Sequence, residues 1–138
     1  MEAKDLMIGC LYRVKKDVCL PNGTIVIIRG IDADNRFPEK HLVGSATCLP
    51  INNEYGFTYG VWVEYLEPIP LTPEILEKNE FSDNYAVDDQ SYAVDGGGDV
   101  VGVHIIGKGG IMDEMYFKYV HQLQQALRLC GIEKEIIL

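Results

Sequence analysis

Three prolines within six residues set the strongest constraint on this chain, in Leu66-Glu67-Pro68-Ile69-Pro70-Leu71-Thr72-Pro73. Proline removes a ladder donor and biases its predecessor away from helix, so residues 66–71 are expected to be extended. Thr72 is then a good N-cap, and Pro73 falls at the first helical position, where a missing N–H is harmless. Leu71 and Leu76 occupy the two positions of a hydrophobic staple. Asn79 suits the left-handed conformation that ends a helix. The spacing predicts a short helix over 73–78.

Before this stretch the chain reads as short strands and turns. Leu11-Tyr12-Arg13-Val14 is one strand, and Val18-Cys19-Leu20 and residues 24–28 flank Pro21-Asn22-Gly23, a hairpin signal. Residues 32–40 read as a polar loop broken by Asn35 and Pro38, and residues 41–49 as a strand. Residues 57–66 read as one further strand, apolar on both faces and so expected to be central or covered on each side. Several short strands of this kind predict a small, bent antiparallel barrel, SH3-like in size.

After it, residues 92–94, 100–106 and 111–117 read as a three-stranded meander, turning at 95–99 and 107–110. Val120, Leu123, Leu127 and Cys130 then repeat at helical spacing with Ala126 beside them, up to Gly131. Residues 133–138 are expected to close a sheet edge. The fold class is α+β: an N-terminal SH3-like barrel, a short helix, a β-meander and a C-terminal helix. A chain of 138 residues fits one compact domain, with a barrel-like half over 1–70 and a helix-meander-helix half over 71–138.

The formal charge is −9, and between Lys78 and Lys108 there is no Lys or Arg, only Glu80, Asp83, Asp88, Asp89, Asp95 and Asp99. Such a face repels phosphate backbones and anionic membranes, so direct nucleic-acid binding is not expected. It is either a solvated face that maintains solubility or a docking surface for a basic partner, formed by Asp83, Asp88, Asp89, Asp95 and Asp99. No apolar run approaches the roughly 20 residues of a membrane span. The opening residues lack a basic stretch followed by an apolar one, so no signal peptide is read and the expected compartment is the cytoplasm. Cys10, Cys19, Cys48 and Cys130 form no C-x-x-C pair. They are read as buried free thiols rather than zinc ligands with His41 or His121, and no metal or cofactor is expected.

Three blocks carry a resemblance. They are Leu6-Met7-Ile8-Gly9-Cys10-Leu11-Tyr12, the run from Leu66 through Thr72-Pro73-Glu74-Ile75-Leu76-Glu77-Lys78-Asn79, and Tyr119-Val120-His121-Gln122-Leu123-Gln124. Together they resemble a family of small proteins of Bacteroides-type phages and mobile elements with opening L-R-I-G-N, central P-I-P-L-T-E-E-I-L and late Y-V-H-Q-L-Q motifs. Cys10 departs from the family Asn, and Glu80 from the usual Gly before Phe81. The resemblance brings no assigned activity. It implies an accessory role in a mobile element, including interference with host defence.

Individual chemistries are weighed residue by residue. His121 with Gln122 and Gln124 is a polar cluster at the start of a helix, read as structural because a catalytic histidine needs an identifiable partner. Gly107, Lys108, Gly109 and Gly110 hold the parts of an anion nest without Walker spacing. With His104 and the aromatic rings of Tyr92 and Trp62 they form a candidate nucleotide site. The acids lack calcium-loop spacing, and no nucleophile elbow or H-E-x-x-H helix occurs, so no catalytic residue is assigned. The leading reading is a non-catalytic accessory protein that binds a protein partner through its acidic segment or an exposed sheet edge. The alternative is a sponge for a nucleotide defence signal. Third comes a hydrolase of such a signal using His104 or His121. Self-association stays open.

Overall fold

A computed structural model describes residues 1–16, 19–53, 56–79, 87–94, 98–106, 112–129, 131 and 135–138, with residues 87–94, 98–106 and 112–114 described by backbone alone. The chain is mixed α+β and divides into two compact units, Met1–Ile69 and Pro70–Leu138.

The first unit contains strands β1 (Leu11–Val14), β2 (Ile25–Phe37), β3 (Leu42–Pro50), β4 (Tyr59–Trp62) and β5 (Leu66–Pro68). They form one antiparallel sheet in the order β4-β3-β2-β1-β5. Burial alternates along β3, with Leu42, Gly44, Ala46 and Cys48 inward and Val43 and Thr47 exposed, as a sheet with one buried face requires. Tyr12, Val14, Val26, Ile28, Ala46, Cys48, Val61 and Leu66 share one buried cluster. Val61 belongs to one edge strand and Leu66 to the other, so the sheet curls around its own core. Its backbone pairing stays open, because β4 and β5 are edges and are not hydrogen-bonded to each other.

The chain passes between those edges through a 3-10 turn, Val63–Tyr65. Val63 is fully buried, and the Tyr65 carbonyl accepts the N–H groups of Lys15 and Lys16 at 2.8 and 3.3 Å. The single covered strand expected over 57–66 is therefore two edge strands on opposite sides of the sheet. Its double apolar character arises because Val61, Val63 and Leu66 enter the core from different elements.

Two other expectations are corrected here. The hairpin partner of β2 is β1, not Cys19 and Leu20, and Val18 lies outside the described residues: Val14 N–H donates to Thr24 O at 2.8 Å and Val14 O accepts from Gly23 N at 2.6 Å. Leu20 contributes to the core by packing, while Cys19 is exposed rather than buried. The polar stretch 32–40 does not end β2. Asp32 Oδ1 accepts the N–H groups of Asp34 and Asn35, both at 3.1 Å, and Asn35 Nδ2 donates to Ser45 Oγ at 3.0 Å. These local bonds absorb an irregularity in register between Asp32 and Arg36, and pairing resumes at Arg36↔Val43 and Phe37↔Leu42. A 3-10 turn, Pro38–Lys40, and a left-handed His41 at φ 54° close this long hairpin.

In the second unit, α1 (Pro73–Lys78) lies where the sequence predicts it, with Thr72 Oγ1 accepting Ile75 N–H at 3.3 Å. Leu71 and Leu76, the two staple positions, are both buried. Asn79 ends the helix with φ −95° and ψ 13°, not in the left-handed region. It caps with its side chain instead, Nδ2 donating to Ile75 O at 2.7 Å. Strands β6 (Val87–Val94), β7 (Gly98–Ile106) and β8 (Met112–Phe117) form an antiparallel meander in the order β6-β7-β8. Helix α2 (Val120–Leu129) buries Val120, His121, Leu123, Ala126 and Leu127, and Gly131 follows it at φ 73°. Leu71 N–H donates to Lys118 O at 2.9 Å, joining the approaches to the two helices. Of the segment 133–138 expected at a sheet edge, residues 135–138 are not a strand, and 133 and 134 lie outside the described residues. Ile137 spends its backbone groups on the Asn79 side chain, which leaves no ladder to form.

Tyr12 is buried, its hydroxyl accepting Met7 N–H at 3.1 Å and donating to Asp5 O at 3.2 Å. Burial pushes the phenol up from 10.0 to about 12, against the opposing effect of the Met7 hydrogen bond. The unfolded chain therefore loses this proton first. The contribution is complete below pH 10, and roughly 2 to 3 kcal/mol of stability is expected to disappear between about pH 10 and pH 12. Urea midpoints across that range should fall more steeply for the native chain than for Tyr12→Phe.

Gly44 sits at φ +85°, and a Cβ there would lie 3.2 Å from Ala3 Cβ and 3.3 Å from Val63 Cγ2. Gly44→Ala is expected to cost about 1 to 3 kcal/mol in urea unfolding. Gly60→Ala, where a Cβ meets nothing within 4 Å, should change stability by no more than about 0.5 kcal/mol.

Candidate functional site

The clearest surface feature of the first unit is built by the long hairpin and β4. Because β2 continues through its polar stretch, Phe37 is carried to where its ring stacks on Trp62, with centroids 6.3 Å apart and planes 23° from parallel. The Lys40 ammonium lies 5.6 Å from the Phe37 centroid, within reach of the ring's negative face. Trp62 is half-buried, Phe37 is exposed, and Val43 on β3 is exposed as well. Trp62 stands opposite Ser45, and Gly60 opposite Thr47. Gly60 is exposed, and a Cβ there would meet nothing within 4 Å.

The two edges of this sheet differ chemically. Pro68 in β5 has no N–H to offer, and Arg13 Nε bonds Glu67 Oε1 at 2.7 Å across β1 and β5. Strand β4 contains no proline and ends on the aromatic pair. Among the described residues no strand pairs with the outer side of β4, and an edge with an adjacent apolar ring is the arrangement that accepts an added strand.

The predicted nucleotide site is not brought together as one described constellation. Gly107, Lys108, Gly109 and Gly110 lie outside the described residues. Tyr92 stands opposite Val100 in the β6–β7 register, and His104 opposite Glu114 in the β7–β8 register. Trp62 belongs to the other unit. Of the acidic positions, Asp83 and Asp95 lie outside the described residues. Asp88 and Asp89 fall in β6, and Asp99 pairs with Ala93 at the start of β7.

The polar cluster at the start of α2 separates into distinct roles. His121 is buried, and its ring stacks on Tyr119 at 5.7 Å with 14° between planes. Gln122 Oε1 accepts the N–H groups of Lys118 and Tyr119 at 2.9 and 3.0 Å, donors that the helix itself leaves unmet. Gln124 is half-buried further along the helix. Among the described residues no group of three or more His, Cys, Asp or Glu side chains could hold a metal ion, and no helix is long and apolar enough to cross a membrane.

Sequence reasoning missed Phe37, which lies inside the stretch read as a polar loop. It also missed the buried carboxamide of Asn79, read only as a backbone cap. Phe37 had one available signal: an aromatic residue beside Pro38 in an otherwise polar run.

Comparison of the chain with protein-family models, curated proteins and solved structures finds no match.

The capping role of Gln122 is testable. Gln122→Ala is expected to destabilise the protein by about 1 kcal/mol. Gln122→Glu keeps the acceptor and adds negative charge at a helix N-terminus, so it should be neutral or stabilising in the same thermal unfolding series.

Proposed function

We propose that this is a non-catalytic accessory protein of a phage or mobile element that acts by binding a protein partner. The observation that carries this reading is the β4 edge, unprotected by proline and ending on the stacked Phe37–Trp62 pair. Aromatic rings beside an open edge suit recognition of an extended segment, with backbone hydrogen bonds supplying affinity and the rings supplying selectivity. The resemblance of the opening, central and late sequence blocks to proteins of Bacteroides-type mobile elements supports the accessory origin, and with it interference with host defence. The acidic run from Glu80 to Asp99 favours a partner with a basic surface.

We also read the first unit as an SH3-like small barrel left open between its edges. The order β4-β3-β2-β1-β5, the core shared by both edge strands and the 3-10 turn that passes between them support this.

The test is capture from a Bacteroides lysate at two salt concentrations, with Trp62→Ala and Gly60→Lys as comparisons. Lysine at position 60 enters open space and so places a charge on the β4 edge without crowding the fold. The expected result is a specific retained protein whose recovery falls at least tenfold with either variant. Nothing retained above background, or retention indifferent to both variants, would count decisively against the reading.

A further inference from the structure

Among the described residues no strand pairs with residues 135–138, and side chains bond their backbone instead. Ile137 N–H donates to Asn79 Oδ1 at 2.7 Å, and Ile137 O accepts from Asn79 Nδ2 at 2.7 Å. The same Nδ2 donates to Ile75 O at 2.7 Å, which anchors the carboxamide to the last turn of α1 and fixes which end is nitrogen. One residue further along, Lys78 Nζ donates to Leu138 O at 2.6 Å. Asn79 and Ile136 are each 4% exposed, whereas Ile137 is 61% exposed.

This set of contacts reads a backbone. A carboxamide that gives one hydrogen bond to a residue and takes one from the same residue matches the N–H and C=O of an extended peptide, as a neighbouring strand does. The lysine adds a third backbone contact. By its side chain Ile136 is buried and Leu138 half-buried, whereas Ile137 points most of its surface to solvent. Nothing in these contacts requires the ligand to be covalently part of the chain.

We propose that the C-terminal corner of α1, built on Lys78 and Asn79, is a peptide-binding site. Its ligand class is an extended segment with a buried aliphatic residue followed by one with a free backbone N–H, and its resident ligand is the chain's own residues 135–138. A free peptide of that pattern competes with the resident segment, so its apparent affinity is reduced by the fraction of molecules in which the corner is vacant. Withdrawing the resident segment removes that penalty. This corner is distinct from the β4 edge, and the two assignments stand or fall separately.

The probe is the amidated hexapeptide Glu-Lys-Glu-Ile-Ile-Leu, matching residues 133–138. Ile136→Asp in the full chain places a charge at the buried position and should free the segment while leaving Lys78 and Asn79 intact. Peptide binding by fluorescence anisotropy is expected to be at least tenfold tighter to Ile136→Asp than to the native chain. It should be lost when Asn79→Ala is added. A peptide N-methylated at the position of Ile137 should not bind. On the native chain, millimolar peptide should shift the Ile137 amide resonance and lower its hydrogen-exchange protection at least tenfold, a readout that holds even if Ile136→Asp does not fold. An unmoved Ile137 amide at millimolar peptide overturns the proposal, as does equal binding of the N-methylated and unmodified peptides.

Discussion

The first unit depends on the three-residue turn Val63–Tyr65, which lifts the chain off one edge of the sheet and delivers it to the other. Without it, β4 would run on as a single strand and β1 would lack its outer neighbour. The turn is held from two sides. Val63 is buried in the core, and Tyr65 O takes the N–H groups of Lys15 and Lys16 just beyond β1. Those bonds align β5 with β1, giving the registers Arg13↔Glu67 and Val14↔Leu66. Leu66 thereby reaches the same cluster as Val61, and the sheet must curl. Gly44 is bound up with the same turn, since a Cβ at its φ of +85° would lie 3.3 Å from Val63 Cγ2.

Helix ends organise much of the second unit. Each helix leaves backbone donors and acceptors without internal partners, and side chains near the ends supply them. Thr72 does so at the start of α1 and Gln122 at the start of α2. Asn79 does more, because the carboxamide that caps α1 also secures residues 135–138. A buried side-chain amide is costly unless its hydrogen bonds are met, and here both its nitrogen and its oxygen are engaged. The cap and the tail are therefore one device.

The two edges of the first sheet are chemically unlike. One edge is blunted by Pro68 and clasped by the Arg13–Glu67 pair, whereas the other offers an unbroken backbone with Gly60 beside Trp62. A free edge is a liability for any β-protein, and the stacked aromatic rings stand at the end of the β4 edge. The net charge of −9 disfavours indiscriminate pairing between like copies.

The local devices were legible in the sequence. Helix α1, its Thr72 cap, the β1 strand, the order of the meander and the glycine after α2 all follow from patterns spanning a few residues, where steric and hydrogen-bond preferences act without distant help. The Phe37–Trp62 pair and the double role of Asn79 were not legible, because each joins residues 25 or 58 positions apart. Likewise, residues 57–66 look like one strand because the apolar pattern records that Val61, Val63 and Leu66 are buried, not from which direction. By itself the sequence determined where the chain becomes helical and how Thr72 caps α1, since backbone sterics are local. Only the tertiary structure decided which strands stand at the edges and what covers them, since pairing and burial depend on contacts that a one-dimensional pattern does not encode.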